Sequence, residues 1–376
     1  MDRETECELI DELLALKDQK ALFLDDAVSR NPVVHYTDEK RFALERDRIF
    51  RRTPIAAAHT SELDRPGAFL RREVAGLPVL LTRDKTGRAN AFLNACRHRG
   101  TRLVDDEKGC KNRFSCPYHA WTYANTGDLI VAPHFEAGFE GVEKSDLGLK
   151  KLQCEERFGF VWVTAEPESA FNTDTYFEDL AVELDNLAMG EMVIAQQDVA
   201  IREANWKILV EGGIEAYHFK VAHRKTIGPY FEDNLSSYKA FGPHLRSVLP
   251  RASITDFHDV DREAWRVRDH AQVLYTLFPS SALLAQQDHI AWISQEPLSA
   301  GYTRVRLSTL VPAAHADKEE RWAQSHEITK TTLDEDFVIG ESIQSTLLSG
   351  ANENMLFGRF EGALHAFNQS VSRFID

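Results

Sequence analysis

The segment 211–223 contains two acids and two histidines that could serve a metal site, and reads EGGIEAYHFKVAH. On an α-helix, which turns by about 100° per residue, Glu211, Glu215 and His218 fall on one face. His223 lies five residues beyond His218, roughly 140° further round a regular helix. The two imidazoles can therefore reach one metal ion only if the helix ends or distorts between them, for instance at a π-bulge.

A second group of possible metal ligands consists of two Cys-His pairs, Cys96 with His98 and Cys116 with His119. Zinc sites accept two Cys and two His, but in zinc fingers both Cys precede both His. Here each pair contributes one Cys and one His, and residues 99–115 separate the pairs. This arrangement favours a Rieske [2Fe-2S] centre, in which two Cys hold one iron and two His hold the other.

The flanks of these pairs read NACRHRGTR at 94–102 and CPYHAWTY at 116–123, followed by Gly127. They closely resemble the two cluster-binding loops of the Rieske non-haem iron oxygenases, the large (alpha) subunits of the aromatic-ring-hydroxylating dioxygenase family. Zinc binding and chance placement of these residues are the alternatives to a cluster. Cys110, Cys7 and Cys154 lie outside the loops and are expected to be ordinary buried thiols.

The same resemblance extends to the segment 211–223, which matches the family's mononuclear-iron motif: an acid, three residues, an acid, two residues, His, four residues, His. Non-haem Fe(II) enzymes that activate O₂ use two His and one carboxylate. The resemblance implies that His218 and His223 bind Fe(II).

The third iron ligand must be a carboxylate from elsewhere in the chain. The segment 335–344 resembles the family's late Glu-Asp helix, in which the Asp binds iron, and this implies Asp336. Asp334 and Glu335 remain competitors, because a shift of one or two residues along a helix turns the side chain to another face.

Glu215 stands where the family usually has Asp. The resemblance implies that this acid bridges a Rieske His of one subunit to an iron-binding His of its neighbour, in a homotrimer packed head to tail. A carboxylate bonded to two imidazoles fixes their orientation and tautomer. Family members with Glu here include carnitine-type oxygenases acting on quaternary amines. Glu211 is expected to be a structural or electrostatic neighbour.

The resemblance implies the terminal oxygenase component of a Rieske system. It would use O₂ and electrons from a separate NAD(P)H-dependent reductase of flavin or ferredoxin type, since the chain shows no GxGxxG dinucleotide fingerprint. The expected reaction is hydroxylation, or oxidative demethylation or cleavage, of a small organic substrate: a quaternary or N-methylated amine, or an aromatic acid. Ring cis-dihydroxylation is the alternative reaction. A Rieske electron carrier and a zinc-containing hydrophobe-binding module are the non-enzyme alternatives.

Composition narrows the class of protein. The chain has 376 residues, 43% of them hydrophobic, which suffices for one large core and favours two domains. A net charge of −15 argues against a nucleic-acid binder. The N-terminus lacks a signal-peptide layout, and no run of about 18 apolar residues occurs. We therefore expect a soluble, cytoplasmic protein that binds neither nucleic acid nor membrane.

The predicted fold class is α+β. Residues 45–165 show short β-like runs separated by turn signals, and are expected to form the all-β Rieske [2Fe-2S] domain. Residues 1–44 begin with an amphipathic helix over 4–17 that should pack on the catalytic domain. Residues 166–376 are predicted to form the catalytic mononuclear-iron domain, for which the family implies a helix-grip (START-like) fold. Alternating apolar runs over 273–311 predict an antiparallel meander, and helical spacing predicts a long C-terminal helix over 318–348 and another over 360–374.

Candidate walls of a substrate pocket are these strands and three residues after His223, namely Ile227, Tyr230 and Phe231. Tyr and Trp rings could stack on an aromatic ring or surround a methylated ammonium. Packing in an ordinary core is an equally good interpretation of these residues.

Overall fold

The computed structural model describes residues 1–167 and 169–375. The chain forms two compact units, one comprising Met1–Ile49 with Phe177–Asp376 and the other comprising Phe50–Tyr176. We call the first the catalytic unit and the second the β unit. The sequence prediction placed the β domain at 45–165, whereas the boundaries drawn from the contacts are Phe50 and Tyr176.

The α-helices α1 to α11 are, in chain order, Arg3–Asp18, Val34–Thr37, Glu39–Glu45, Phe135–Gly138, Thr173–Phe177, Leu180–Asp185, Trp206–Gly213, Phe219–Ala222, Val267–His270, Glu319–Leu347 and Gly362–Ile375. The strands β1 to β20 are Ser29–Pro32, Ile55–His59, Ala68–Val74, Leu77–Arg83, Ala89–Leu93, Lys108–Cys110, Arg113–Ser115, Thr122–Ala124, Leu129–Val131, Lys151–Leu152, Cys154–Arg157, Phe160–Val163, Met192–Arg202, Ser237–Phe241, His244–Pro250, Ala271–Leu277, Ser281–Ala285, Ile290–Ser299, Tyr302–Pro312 and Asn354–Phe357. A π-helical turn covers Arg46–Phe50, and short 3-10 helices cover Thr60–Leu63, Lys144–Leu147, Met189–Glu191, Gly228–Tyr230, Ala252–Asp259, Arg262–Ala264, Ala313–His315 and Arg359–Glu361.

A seven-stranded antiparallel sheet forms the centre of the catalytic unit, in the order β13-β19-β18-β17-β16-β15-β14. Strands β14 to β19 are adjacent in sequence and pair in succession, which is the meander predicted over 273–311 extended by two strands at its start. Side chains alternate between the two faces of each strand. One face therefore carries a continuous set of residues toward the long helix α10.

Helix α10 contacts both the sheet and helix α7. Phe337 of α10 packs with Leu209 of α7 and with Ile293 and Leu307 of the sheet in one buried cluster. The two helices approach closely at Gly340, where an added Cβ would lie 3.3 Å from side-chain atoms of Ile208 and Leu209. A helix held against the sheet in this way matches the predicted α+β helix-grip fold with its long C-terminal helix.

The N-terminal helix α1 belongs to the catalytic unit. The Asp2 side chain caps it by accepting from the Thr5 N–H at 2.8 Å. Lys17 in its last turn pairs with Glu232 at 2.5 Å, and Glu6 accepts from the Val267 N–H at 2.9 Å. Among the described residues, no helix is both long enough and apolar enough to cross a membrane.

The β unit contains a five-stranded sheet in the order β10-β5-β4-β3-β6 and two three-stranded sheets, β11-β12-β2 and β7-β8-β9. One buried cluster joins the five-stranded sheet to the two Cys-His loops, since Phe92 and Leu80 pack with Cys96, Cys116 and other apolar residues. The prediction of a buried Cys110 was wrong: this thiol is exposed, because it lies on the edge strand β6. Cys7 is buried and Cys154 is partly buried.

Candidate metal centres

The two Cys-His loops of the β unit have the same backbone turn. The Gly100 N–H donates to the Cys96 carbonyl at 2.8 Å, and the Ala120 N–H donates to the Cys116 carbonyl at 3.0 Å. Both donors have positive φ angles, 78° at Gly100 and 56° at Ala120. An alanine in this left-handed region is uncommon. The hydrogen bond from its N–H to the Cys116 carbonyl holds Ala120 in this conformation. Each turn directs one Cys and the His that follows it to the same side.

The four side chains of these loops lie close together, with both thiols buried and both imidazoles partly exposed. Cys96 and Cys116 are 3% and 4% exposed, and the rings of His98 and His119 have centroids 4.7 Å apart. Trp121 stacks on the His98 ring at 4.9 Å with an interplanar angle of 11°. Within residues 1–167 and 169–375, neither histidine has a hydrogen-bond partner for its buried Nδ1 atom.

Two buried thiols and two orphaned imidazole nitrogens fit a [2Fe-2S] cluster. A buried polar atom without a partner is costly, and a metal ligand bond would remove that cost. The donor set, two sulfurs and two nitrogens, is that of a Rieske centre. Tyr123, which sequence reasoning did not single out, is hydrogen-bonded to the Cys96 sulfur at 3.4 Å and accepts from the Arg97 N–H at 3.0 Å. Hydrogen bonds to cluster sulfurs influence reduction potential.

The segment 211–223 is not one helix, which corrects the prediction that Glu211, Glu215 and His218 share a helical face. Helix α7 ends at Gly213, and the single turn α8 begins after His218 and ends before His223. Glycine is a poor helix former, so Gly212 and Gly213 favour an end here. The condition that the helix must end or distort between His218 and His223 is met because α8 is a single turn that ends before His223, rather than by a π-bulge.

Three of the predicted ligands converge in the catalytic unit. The Nε2 atoms of His218 and His223 lie 3.2 Å apart. Asp336 Oδ1 lies 3.3 Å from the first and 3.0 Å from the second. His223 is fully buried, whereas the side chains of His218 and Asp336 are 21% and 15% exposed. Asp336 comes from helix α10, more than a hundred residues later in the chain.

The other nitrogen of each imidazole contacts a carboxylate. Glu215 is hydrogen-bonded to His218 Nδ1, and its second oxygen accepts from the His218 and Tyr217 N–H groups. Glu335 Oε2 lies 2.7 Å from His223 Nδ1 and also accepts from Thr226 Oγ1 at 2.6 Å. A carboxylate at Nδ1 requires the proton there, which leaves each Nε2 with its lone pair free for a metal ion.

This arrangement fits Fe(II). If both Nδ1 atoms carry protons, two nitrogen lone pairs and a carboxylate oxygen face one another at 3.0–3.3 Å, and one metal ion bound between them would satisfy all three. Two His and one carboxylate form the donor set of non-haem iron enzymes. The three residues form a group that could hold a metal ion, since their ligand atoms lie within 4.8 Å of one another.

The electrostatics of the site favour positive charge. Burial opposes protonation of His218, but hydrogen bonds and attraction to Asp336 and Glu215 outweigh it and raise its pKa to about 10. Burial likewise opposes ionisation of Asp336, yet hydrogen bonds from the two histidines lower its pKa. The pKa of His223 is raised, because Asp336 and Glu335 together outweigh the effect of burial.

The remaining acids of the two motifs lie away from the convergent atoms. Asp334 pairs with Arg202, so it points to another face of α10. Glu211 is 5% exposed and accepts hydrogen bonds from Tyr36 and Asn368, each at 2.7 Å. Burial raises its pKa to about 7, although both hydrogen bonds act in the opposite direction.

Gly228 was also missed by sequence reasoning. Its N–H donates to the His223 carbonyl at 2.9 Å. A Cβ at this position would lie 2.8 Å from the carbonyl oxygens of both His223 and Phe219. The only sequence signal was the Gly-Pro pair at 228–229, which marks a turn.

A pocket in the catalytic unit reaches His223 and Asp336. Its walls come from one face of β16, β17 and β18, from helices α7 and α10, and from Phe219 and Ile227. Of the predicted pocket residues, Ile227 lines this pocket, whereas Tyr230 and Phe231 line an adjoining cleft. Among the described residues, no Tyr or Trp lines the pocket itself.

Comparisons with known families agree with this geometry. Residues 180–376, more than half of the chain, match the family described as Ring hydroxylating alpha subunit (catalytic domain). The chain belongs to the ring-hydroxylating alpha-subunit family. Residues 53–152 match the Rieske [2Fe-2S] domain. These matches confirm the predicted family and its two domain types, with a [2Fe-2S] cluster and a non-haem iron as cofactors.

Several proteins of known name are similar to this chain. The carnitine monooxygenase oxygenase subunit of Acinetobacter pittii is 32% identical over 206 residues, 54% of each chain. The N,N-dimethyl phenylurea N-demethylase subunit alpha of a Sphingobium species is 34% identical over 195 residues, 50% of this chain and 42% of that one. The chain thus spans about half the length of the curated relatives it matches. A crystal structure of a quaternary ammonium Rieske monooxygenase has the same fold, with a TM-score of 0.79 and 24% identity, covering 93% of this chain and 96% of that one.

Proposed function

We propose that this protein is the terminal oxygenase component of a Rieske system. In the proposal it uses O₂ and electrons from a separate NAD(P)H-dependent reductase to hydroxylate or oxidatively demethylate a small organic substrate. The residues assigned to the [2Fe-2S] cluster are Cys96, His98, Cys116 and His119. The residues assigned to Fe(II) are His218, His223 and Asp336.

One observation carries the proposal. Two imidazole Nε2 atoms and one carboxylate oxygen lie within 3.3 Å of one another at the wall of a pocket, and a carboxylate holds the far nitrogen of each ring. A structural zinc site would be closed by four protein ligands. Here the described residues contribute three, and three ligands leave positions for O₂ and substrate.

When bound, the cluster supplies one-electron transfer and Fe(II) supplies O₂ activation. The protein itself orients the metal-binding side chains and keeps water out of the pocket. Glu215 and Glu335 hold the two imidazoles in the tautomer that exposes Nε2, and the apolar walls exclude water from the pocket. For hydroxylation the balance is RH + O₂ + 2 e⁻ + 2 H⁺ → ROH + H₂O, with both electrons from NAD(P)H.

Three further features belong to the proposal. The protein is a homotrimer in which Glu215 links the iron site of one subunit to the cluster of the next, as the family resemblance implies. Its electron donor is a flavin- or ferredoxin-type reductase. It works in the cytoplasm, where thiols stay reduced, and its five cysteines are all free.

Spectroscopy of two variants tests the assignment of the centres. We expect wild-type protein to contain iron and to show a Rieske signal by absorption and low-temperature EPR. Cys116→Ser should lose this signal, whereas His218→Ala should keep it, bind less iron and lose turnover. Colourless protein with stoichiometric zinc would contradict the proposal in favour of a zinc-containing binding module. Turnover by His218→Ala at the wild-type rate would contradict the iron site.

The type of oxygenation is measured by the product. With a surrogate reductase, substrate-dependent NADH and O₂ consumption identifies substrates among N-methylated amines, neutral amides and aromatic acids. Labelled ¹⁸O₂ then distinguishes the reactions, since monooxygenation places one labelled atom in the product and cis-dihydroxylation places two. A cluster-containing protein that consumes no O₂ with any substrate would instead favour an electron carrier.

A further inference from the structure

The pocket beside the iron site contains two buried polar atoms that lack partners. Gln295 is 7% exposed and Thr276 is 2% exposed, and both line the pocket. Among the residues that the structure describes, none donates a hydrogen bond to Gln295 Oε1, and none donates to or accepts from Thr276 Oγ1. A buried group of this kind costs stability unless a bound molecule completes it.

Strand register places these two residues on the same face of the sheet, toward the end of the pocket near the turn between β16 and β17. Thr276 of β16 pairs with Ala282 of β17, which pairs with Ile293 of β18, and Gln295 lies one alternation further on the same face. The Gln295 N–H donates to the Ser280 carbonyl at 3.0 Å, which ties this position to the turn between β16 and β17.

The opposite end of the pocket is where a molecule would enter. Gln272 and Gln286 line both the pocket and the adjoining cleft, whereas Thr276 and Gln295 line the pocket alone. Gln272 and Thr276 are four residues apart on β16, roughly 13 Å along the strand. The Gln272 Nε2 also donates to Gln286 Oε1 at 3.0 Å, so one donor and one acceptor of this pair already have a hydrogen-bond partner. The polar atoms without hydrogen-bond partners, those of Thr276 and Gln295, therefore lie at the inner end of the pocket.

The pocket offers little to a charged substrate. Within the described part of the chain, its only ionisable lining residues are His223 and Asp336, which are assigned to iron. A carboxylate would find no Lys or Arg among those lining residues, and a quaternary ammonium would find no free acid, Tyr or Trp. Of its two aromatic rings, Phe337 already has the Arg202 guanidinium 5.0 Å from its centroid. Bringing a charge into an apolar pocket without a partner is costly.

We infer that the substrate is a neutral, largely apolar molecule with one uncharged hydrogen-bonding group, such as an amide or hydroxyl, held by Gln295 and Thr276. This rests on the proposed function and specifies its substrate class. The Gln295 carboxamide can both donate and accept, and the Thr276 hydroxyl can do the same, so an amide or hydroxyl complements both. A site built to hydrogen-bond a group discriminates strongly against analogues that lack it.

Binding of four small probes to the iron-loaded, anaerobic holoprotein tests the inference. Acetanilide is neutral with an amide, benzoate is an anion, trimethylphenylammonium is a cation, and ethylbenzene has no hydrogen-bonding group. By calorimetry or equilibrium dialysis, we expect acetanilide to bind about tenfold or more tightly than either ion. Equal or tighter binding of benzoate or trimethylphenylammonium, or no saturable binding of acetanilide, would overturn the inference.

Two variants test whether Gln295 and Thr276 bind the polar group of the probe. Gln295→Met keeps the side-chain length and removes the carboxamide, and Thr276→Val keeps the shape and removes the hydroxyl. Each should weaken acetanilide binding about fivefold or more and leave ethylbenzene binding unchanged or tighter. Gln324→Met, at an exposed position of α10 outside the pocket, is the control and should change acetanilide binding less than about twofold. Equal weakening of both neutral probes would indicate a structural role and overturn the assignment.

Iron and cluster content are measured on the same samples. A sample lacking both centres contradicts the proposed function. A sample that contains both iron and cluster but binds a charged probe more tightly contradicts the inferred substrate class and leaves the proposed function standing.

Discussion

At the scale of single residues, Glu335 is expected to position a ligand of the proposed iron site, although it had competed with Asp336 as a ligand. It contacts His223 Nδ1 on the side of the ring away from Asp336. Neighbouring positions on α10 thus have different roles because their side chains leave the helix about 100° apart. One carboxylate faces the convergent nitrogens, and the other holds a ring from behind.

Replacing Glu335 should therefore weaken iron binding without abolishing it. We expect Glu335→Leu to lower the affinity for Fe(II) about 10- to 100-fold, because His223 loses the acceptor that fixes its tautomer. Glu335→Gln retains an acceptor oxygen and should fall between Leu and wild type. Competition with a chelator measures the affinity. Asp334→Asn, which alters only the neighbouring acid paired with Arg202, is the control. A Glu335→Leu protein with wild-type affinity would contradict the positioning role.

Glu211 gives a second residue-scale prediction, which concerns pH. Burial raises its pKa from 4.5 to about 7. Between these values the folded protein binds a proton that the unfolded chain has released, so stability falls as pH rises through this window and stays lower above it. Glu211→Gln has no proton to lose, and its stability relative to wild type should rise by up to about 3 kcal/mol from pH 4 to pH 8. Thermal unfolding across this range measures the difference, and the exposed Glu320→Gln controls for charge. A difference independent of pH would show that the pKa of Glu211 is the same in the folded and the unfolded chain.

The residue types at the two centres could be predicted from the sequence, but their contacts only in part. Spacing predicted Cys96, His98, Cys116 and His119 as a set of ligands, because a loop can carry two ligands within a few residues. The contact of Glu335 with His223 joins positions 112 residues apart, and no local pattern encodes it. The choice of Asp336 came from family resemblance, and the geometry that distinguishes it from its neighbours appears only when α10 packs against α7.

At the scale of elements, the path of the chain between α7 and the Gly228–Tyr230 turn determines where the two histidines lie. Regular helical geometry predicted a common face for Glu211 and His218, and this failed because α7 ends at Gly213. After the break, α8 provides a single turn with one histidine at each end. The Gly228 N–H then closes the segment onto the His223 carbonyl.

Gly228→Ala should therefore disrupt the iron site through the backbone. The new methyl group would lie 2.8 Å from two carbonyl oxygens, which cannot rotate away as a side chain can. We expect His223 to shift and iron content to fall by about tenfold or more, while the Rieske signal from the β unit is unchanged. Gly301→Ala, between β18 and β19, is the matched control and should retain iron, because an added Cβ there would lie 3.9 Å from the Gln344 side chain, an ordinary contact distance. Normal iron content in Gly228→Ala would show that the turn can relax.

At the scale of the whole molecule, the proposed trimer makes each active site depend on two chains. The cluster residues lie in the β unit and the iron residues in the catalytic unit. Glu215 contacts His218 from a side chain that remains 11% exposed. In the proposal this carboxylate meets a cluster histidine of the neighbouring subunit. Head-to-tail packing of three copies would complete three such pairs.

Mixed oligomers test this dependence between subunits. Cys116→Ser subunits lack the cluster and His218→Ala subunits lack the iron site, so neither variant should turn over alone. In trimers assembled from equal amounts of both, a productive contact needs an intact cluster on one chain and an intact iron site on the next. Random mixing produces this at about one quarter of contacts, so we expect about a quarter of wild-type turnover.

The control mixes wild type with a chain carrying both substitutions. It should also give about a quarter if the centres cooperate between subunits, but about half if they cooperate within one. Absence of turnover in the first mixture, together with half in the second, would place the working pair within a single chain and remove Glu215 from the subunit contact.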